Sequence, residues 1–560
     1  YGTNLEVKGI ISGQSITGDT GSFNTLNIVT TGEIKLYDAD SSNYVAFKSA
    51  DTVASNITWV LPAADATTSG DALLSDANGT LSWGAVASLS GITDSGTTFL
   101  TALGVGAATG NTGSSNVAIG FRALYTSTDA DRNVAIGNQA AYSLTTGQYN
   151  VAIGEQAGWH STSPTGTVAV GAKALRRNSS RDNHTAIGYE ALFDNSLGRD
   201  NTAVGFQALR ENNGNYQVAV GHQALLNMTN GSGNTAVGYQ TLYSGEREGN
   251  TAIGYHALHK TSIGAYNTAV GYRAAYSGRV ATGVVAVGYE ALADNITHFN
   301  IAIGYEAARS GTTAENNIAI GDKALYDNVT GSSNIAIGTQ ALSKSTAGRF
   351  NTAVGVIALQ NSSSAIQSTA LGYSALAGNT AGNENTAIGV DSLRLNTTGQ
   401  FNTAVGYNSA EKNKATSNTA IGVNALRDNV NGNRNIAVGY AAAISGDMGS
   451  GNIAIGYFAM ADSTNNDTIA IGSEAARNNR RGGTIAIGVN ALRDNVSGSL
   501  NVAIGARAIE TNITGDRNVG VGAYTLRNNT SGHNNTTIGF GGLFSNTTGY
   551  ANTAIGWEAS

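Results

Sequence analysis

The stretch NTAVGYRAAYSGRVATG, residues 267–283, decides the fold because it returns, with changes, along most of the 560-residue chain. Aligned on the glycine that follows Ile, Val or, once, Leu, the repeat has 27 copies between Gly120 and Gly556. Twenty of the spacings between successive glycines are 17 residues and six are 16. This period is too short for helical-pair repeats and for propeller blades, and it fits one coil of a β-solenoid.

Around each glycine the pattern reads N-[TVI]-A-[IV]-G-[YFV]-x-A-[LA]. The residue before Gly is Ile or Val in 26 repeats, and the residue two before Gly is Ala in 25. Successive side chains of a strand point to opposite sides, so the aliphatic positions share one side and Ala and Gly share the other. Since both sides are small or apolar, we expect a strand buried on both. The alternation leaves open which side faces the lumen of the coil.

Three further positions have structural interpretations. The glycine suits a positive φ or a close backbone approach at a bend. The Asn four before it suits an αL turn and, when stacked, an amide ladder. Polar stretches such as DNVTGSSN form an outer turn that absorbs the changes in length. We take as representative of the repeat core the residues Ala269, Val270, Gly271, Ala353, Val354, Gly355, Ala387, Ile388 and Gly389.

The second apolar side of the strand predicts an oligomer. A single chain would expose a stripe of Ile and Val over 27 coils. That stripe is far larger than the few hundred Å² of contiguous apolar surface that soluble monomers tolerate. We therefore expect several chains around a shared axis.

The cores NVAIG, NTAVG and NIAIG, each followed by x-x-A, resemble the head repeats of trimeric autotransporter adhesins, the YadA-like left-handed parallel β-roll, and related repeats in bacteriophage tail fibres. The likeness covers residues 116–560, although the period is longer than is usual in those heads. It implies an elongated homotrimer, carried on a virion or exposed outside a cell, that presents a binding surface to a host glycan or protein receptor.

The first 115 residues have a different pattern. Runs such as FNTLNIVTTGEIKLYDAD and NYVAFKSA alternate in the manner of β-strands. The segment ITWVLPAADATTSGDALLSDANGTLSWGAV resembles segments near the base of phage tail fibres, which favours a phage fibre that joins tail or baseplate proteins through this region. We place a β-rich attachment region at 1–86, a connector at 87–115 and the solenoid at 116–560.

Composition excludes several classes of function. The chain has no cysteine, 12% charged residues and a net charge of −7 with no basic block. Thiolate chemistry and disulfides are therefore excluded, and we expect no nucleic-acid partner. The sequence contains no run of 18 apolar residues, so we expect no membrane segment in it. We also expect no cofactor.

Candidate chemistry is sparse. Seven His occupy different repeat positions, with His256 and His259 the only close pair, and we interpret them as solvated loop residues rather than metal ligands. Acidic residues shortly after the glycine, such as Glu190, Glu290 and Glu306, recur singly and are interpreted as solvent-facing rather than as glycosidase carboxylates. We predict that the protein is not an enzyme, and a tailspike-like polysaccharide depolymerase is the alternative from another class.

The residue after the glycine is often aromatic. Five tyrosines lie on consecutive coils, and they are Tyr239, Tyr255, Tyr272, Tyr289 and Tyr305. They are candidates for stacking on sugar rings, but the stronger interpretation is that neighbouring rings pack on each other. Triplets such as Asn328-Val-Thr330 and Asn396-Thr-Thr398 are interpreted as turns before glycan acceptors. The leading hypothesis is a phage tail fibre on the virion, with a bacterial surface adhesin second.

Overall fold

The computed structural model describes residues 33–37, 44–48, 71–75, 81–85 and 100–560, apart from 179–181, 246, 261 and 447. The chain divides into two compact units, Tyr1–Ser90 and Gly91–Ser560. In the first unit, β1 (Glu33–Tyr37) pairs antiparallel with β2 (Tyr44–Lys48). In the same way, β3 (Asp71–Ser75) pairs with β4 (Leu81–Ala85). These four strands fit the β-rich character predicted for residues 1–86, and the rest of that prediction lies outside the described residues.

The second unit is a parallel β-solenoid, as predicted. Each coil contributes one three-residue strand, and 28 such strands pair in parallel with their neighbours to form what we call the long ladder. No α-helix occurs among residues 100–560 as far as the structure describes them. The strands of the long ladder are Thr101–Leu103, Val117–Ile119, Val134–Ile136, Val151–Ile153, Val168–Val170, Thr185–Ile187, Thr202–Val204, Val218–Val220, Thr235–Val237, Thr251–Ile253, Thr268–Val270, Val285–Val287, Ile301–Ile303, Ile318–Ile320, Ile335–Ile337, Thr352–Val354, Thr369–Leu371, Thr386–Ile388, Thr403–Val405, Thr419–Ile421, Ile436–Val438, Ile453–Ile455, Ile469–Ile471, Ile485–Ile487, Val502–Ile504, Val519–Val521, Thr536–Ile538 and Thr553–Ile555.

The long ladder begins one coil before the predicted start at residue 116. Thr101–Leu103 pairs with Val117–Ile119 in register, Ala102 opposite Ala118. The sequence TALG at 101–104 carries the Ala-aliphatic-Gly step of the repeat without its Asn. Residues 100–115, which we assigned to a connector, therefore form the first coil.

A second, shorter ladder lies in the first half of the solenoid. Five two-residue strands pair in parallel, and they are Arg177–Asn178, Asp194–Asn195, Glu211–Asn212, Asn227–Met228 and Ser244–Gly245. They lie six and seven residues after the repeat glycine, in the part of the sequence that we interpreted as a polar turn. In these coils the turn is therefore a second hydrogen-bonded wall.

The lumen of the coil is lined by alanine, leucine and asparagine. In the coil that starts at Asn317, the side chains of Ala319, Ala324 and Leu325 are fully buried, and Asn328 is almost so. Ile318 and Ile320, on either side of Ala319, remain partly exposed. The sequence left open which side of the strand faces the lumen. In the structure Ala faces the lumen, and the aliphatic residues on either side of it face outward.

Each internal coil is bonded to both of its neighbours. The backbone N–H of Gly321 donates to the carbonyl of Ile303 in the preceding coil at 2.8 Å. Leu325 and Thr330 donate forward, to Ala341 at 3.0 Å and to Thr346 at 2.9 Å. Because these bonds fall on different sides of the coil, the stability of the column sums over coils and their interfaces.

The repeat glycine is required for two reasons. Gly321 has φ +133°, a conformation that side chains rarely adopt. A Cβ at this position would lie 2.7 Å from the carbonyl oxygen of Gly338 on the next coil. The same two conditions hold at Gly271, Gly355 and Gly389, with φ of +135°, +139° and +129°. The predicted role of glycine in both backbone conformation and close approach is confirmed.

The αL prediction for the asparagine four before glycine is wrong, whereas the ladder prediction is confirmed. The positive φ belongs to the residue before it, such as Ser333 at +60°. The Nδ2 of Asn334 donates to Asn317 Oδ1 at 3.2 Å and to the Gly348 carbonyl at 2.8 Å, and Oδ1 accepts the N–H of Asn351 at 3.0 Å. The side chain therefore bonds between coils instead of turning the chain.

A second amide ladder stands seven residues after the glycine. Asn512, Asn529 and Asn546 each donate to the Oδ1 of the equivalent Asn one coil earlier, at 2.6, 2.9 and 2.9 Å. Coils of 17 residues close this turn with a bond from Asn to Gly three positions later, as from Asn328 to Gly331. The 16-residue coil containing Asn212 closes it onto Gly214, two positions later. The outer turn thus absorbs the change in length, as predicted.

Candidate functional site

The outward side of the long ladder, which we call the strand face, is uncharged and largely aliphatic along its whole length. It consists of the residues one and three positions before each glycine. The first is always Ile, Val or Leu and the second always Val, Ile or Thr, so neither position carries a charge in any of the 27 repeats. Exposed fractions in the single chain are 39% at Ile303, 37% at Ile337 and 46% at Leu371. Of the predicted core residues, Val270, Val354 and Ile388 lie on this face, and Ala269, Ala353 and Ala387 are fully buried in the lumen.

Ionic contacts lie elsewhere on the coil, two, five and six residues after the glycine. Glu290 accepts from Arg309 at 2.8 Å and from Arg273 at 2.9 Å. Glu510 likewise bridges Arg527 at 2.8 Å and Arg493 at 3.1 Å. Each arginine reaches the carboxylate of another coil, so these contacts clamp coils together. The solenoid therefore separates an uncharged strand face from a side on which charges are paired.

Two of the acidic residues that we expected to face solvent are buried. Glu190 and Glu290 are only 9% and 5% exposed, because arginines cover them. Burial alone would raise the pKa of Glu190, but hydrogen bonds from Arg210 and Gln207 lower it below the usual value. The Glu190 carboxylate is thus held ionised. Both Glu190 and Glu290 form structural ion pairs, which the sequence pattern did not reveal.

Some of the ring residues that follow the glycine form a continuous stack in the first half of the solenoid. Neighbouring ring centroids lie 4.9 to 5.4 Å apart, and the planes differ by 5° to 18°. The stack has eight rings on eight consecutive coils, and they are Tyr189, Phe206, His222, Tyr239, Tyr255, Tyr272, Tyr289 and Tyr305.

Ammonium groups cover both ends of this aromatic stack. Lys173 Nζ lies 5.9 Å from the centroid of the Tyr189 ring, and Lys323 Nζ lies 5.7 Å from that of Tyr305. Such contacts are favourable because the ring face carries negative charge density. The five candidate tyrosines expose 40% to 49% of their surface, yet their ring faces cover one another. Sugar stacking needs a free ring face, so this geometry favours ring-on-ring packing.

A column of polar side chains runs beside the aromatic stack, two residues after each glycine. Gln207 donates to Glu190 at 3.0 Å, Gln223 to Gln207 at 2.9 Å and Gln240 to Gln223 at 2.7 Å. His256 Nε2 continues the column by contacting Gln240 Oε1 at 2.9 Å. These bonds link five successive coils through their side chains.

Of the close histidine pair, His256 belongs to this column and His259 lies beside it. His259 Nδ1 lies 3.0 Å from the backbone carbonyl of Gln240, and the rings of His256 and His259 are 4.4 Å apart. Burial lowers the pKa of His256, and the charges of His259 and Arg273 lower it further. No group of three or more metal-ligating side chains occurs among the residues that the structure describes.

The two triplets that match a glycan acceptor have buried asparagines. Asn328 and Asn396 are 1% and 0% exposed, and each Nδ2 donates to the carbonyl of the glycine three residues later, at 2.8 and 3.0 Å. The interpretation of these triplets as turns is confirmed. Their recurrence at a fixed distance from the repeat glycine was the signal from which the second amide ladder could have been found.

Comparison of the chain with protein-family models, with curated proteins and with solved structures gave no match. Within its described parts, the structure has no helix with the length and apolar character needed to cross a membrane.

Proposed function

We propose that this protein is the shaft of a homotrimeric fibre that carries a host-binding surface, and that the fibre is a bacteriophage tail fibre. The observation that carries the proposal is the strand face, which is uncharged at both of its positions in all 27 repeats and partly exposed in the single chain. An apolar surface of this extent is typical of a protein interface.

The periodicity of the strand face limits what can cover it. Strands of the long ladder follow one another at about 4.8 Å, so the outward side chains repeat at that distance over about 130 Å. A partner must match both this rise and this length. A further copy of the same solenoid does so, and a shared rotation axis places equivalent coils at equal height. The ion pairs lie on the other sides of the coil, away from this contact.

The mechanical role follows from the bonds between coils. Backbone hydrogen bonds, two amide ladders and ion pairs between arginines and carboxylates all run along the column. A column held in this way resists bending without a wide globular core. Three such columns packed along their strand faces would hold a base and a receptor-binding tip at a fixed separation.

Sedimentation equilibrium tests the trimer directly. We expect three copies per particle in the wild type, and replacing Ile303 and Ile337 by Glu should reduce the particle to one chain. The matched control replaces Val329 and Val496 by Glu as well. These valines are exposed to similar degrees but lie on the outer turn, so the trimer should stay intact. A wild-type monomer would contradict the proposal.

Location and activity need separate tests. Mass spectrometry of purified phage particles should detect the chain if it is a tail fibre, and its presence in a bacterial outer-membrane fraction would favour the surface adhesin. A tailspike depolymerase predicts release of reducing ends when host polysaccharide is incubated with the purified protein. We expect binding to host cells without such release.

A further inference from the structure

The amide ladder formed by the Asn four before the glycine is interrupted in two consecutive coils. Thr167 and His184 take the place of Asn, between Asn150 and Asn201. Thr167 N–H still donates to Asn150 Oδ1 at 2.9 Å, but the Thr167 hydroxyl is buried and has no hydrogen-bond partner in the protein. A buried polar group without a partner lowers the stability of the folded state.

Packing is also incomplete in these coils. Gly158 occupies the position that is Leu124 and Leu175 in other coils, and a small cavity adjoins it, lined in part by Ser161 and Thr167. The Ser161 hydroxyl is buried without a partner as well. Missing contacts and unpaired hydroxyls therefore coincide in the coils that precede His184.

His184 is fully buried and takes over one bond of the ladder. Its Nδ1 accepts the backbone N–H of Asn201 at 3.3 Å, as an Asn Oδ1 does in other coils. Its Nε2 lies 2.9 Å from the amide nitrogen of Asn195. Since Nδ1 is the acceptor, this bond exists only while the imidazole is neutral.

We propose that His184 makes these coils an acid-sensitive segment of the solenoid, in which protonation of the imidazole opens the column between its N-terminal coils and the remainder. A proton on Nδ1 would point at the N–H of Asn201, so the bond would be replaced by a repulsive contact. The added charge would also lie in a lumen of Ala, Leu and amide groups, where it is poorly solvated.

The charged groups that face His184 are Asp182 of the preceding coil and Asp200 at the end of its own coil. Both carboxylates already accept hydrogen bonds, from Thr165 N–H at 2.8 Å and from Asn183 Nδ2 at 3.0 Å. Burial lowers the pKa of His184 to about 4, although the backbone of Gly198 and the charges of Asp200 and Asp182 act to raise it.

The sign of the pH effect follows from this lowered pKa. An opened segment binds a proton with the ordinary pKa of 6.5, and the closed segment does so only near 4. The closed form therefore has its full stability above pH 6.5 and loses it as pH falls towards 4. Between pH 7 and pH 5 the opening equilibrium should rise roughly 20-fold.

Hydrogen exchange followed by mass spectrometry tests the proposal on the full chain. After correction for intrinsic rates, peptides that contain Thr167, His184 or Asn201 should show this rise, and peptides from the coils at Asn317 to Asn351 should not. His184→Asn restores the residue found in most coils, so it should fold and abolish the rise. His533→Asn removes an exposed histidine and should respond like the wild type.

Two results would overturn the proposal. One is an equal rise from pH 7 to pH 5 in His184→Asn and in the wild type. The other is an acid-dependent rise spread evenly over all coils, which would mean that no single histidine controls it.

Discussion

The rings of Tyr272 and Tyr289 lie face to face on adjacent coils, with centroids 5.0 Å apart and planes only 5° from parallel. Tyr272 makes a similar contact with Tyr255 at 5.2 Å, so both of its faces are covered. The tyrosines thus bind the coils to each other, and only ring edges and hydroxyls are left for a ligand.

Replacing Tyr272 by Ala should lower the free energy of unfolding by about 1–3 kcal/mol beyond the loss of buried area, because two aromatic contacts are removed at once. Tyr272→Phe should retain most of the stability. Tyr373 is the matched control, since it occupies the same repeat position between Val356 and Val390. Denaturant unfolding measures the difference, and equal losses for Tyr272→Ala and Tyr373→Ala would contradict the role of the stack.

Replacing Gly321 by Ala should destabilise the solenoid by at least about 2 kcal/mol, because the backbone conformation is strained for a side chain and a Cβ would meet Gly338. Gly233→Ala is the control. Gly233 also has a positive φ, +67°, but a Cβ there has no heavy atom within 4 Å. Its cost should be about 1 kcal/mol. Thermal unfolding of both variants separates conformational strain from steric contact.

Replacing Ala353 or Ala387 by Leu should cost about 1–3 kcal/mol each, because both side chains are fully buried in a lumen that a larger group overfills. Val329→Leu, on the exposed outer turn, should change stability by less than about 0.5 kcal/mol. Unchanged melting temperatures for the two alanine variants would show that the lumen is wider than the structure indicates.

Replacing Asn334 by Asp should make stability depend on pH. The carboxylate cannot donate to the carbonyl of Gly348, and burial favours its protonated form. Its pKa in the folded state is then raised, so stability lost at pH 7 should be partly regained as pH falls to 4. Asn138→Asp, at an exposed position, should show little change over the same range. A flat pH profile for the Asn334 variant would argue against the buried ladder.

Much of the solenoid was predictable because its information is local to one coil. The alternation of Ala with Ile or Val predicted the strand, and the recurrence of glycine predicted the stacking. The lumen required the structure, since alternation fixes two sides but not which of them is inside. Leu325, at φ +52°, illustrates another limit, because the intrinsic preference of leucine gives no sign of a left-handed conformation.

The candidate site was predicted less well, for a related reason. Contacts such as Arg309 with Glu290 join residues 19 positions apart, and no single repeat contains both partners. The lysines that cover the ends of the aromatic stack are likewise visible only when coils are superposed along the column. The sequence did locate the aromatic stack itself, since its members share one position of the repeat.

The turn that closes onto Gly214 in one coil and onto Gly331 in another leaves the register of the strands unchanged. A gene that encodes such a chain can therefore gain or lose a whole coil, or one residue of a coil, and every remaining strand still pairs with an equivalent strand. The length of the solenoid can then vary in steps of one coil, so related proteins of different lengths could share one set of contacts between coils.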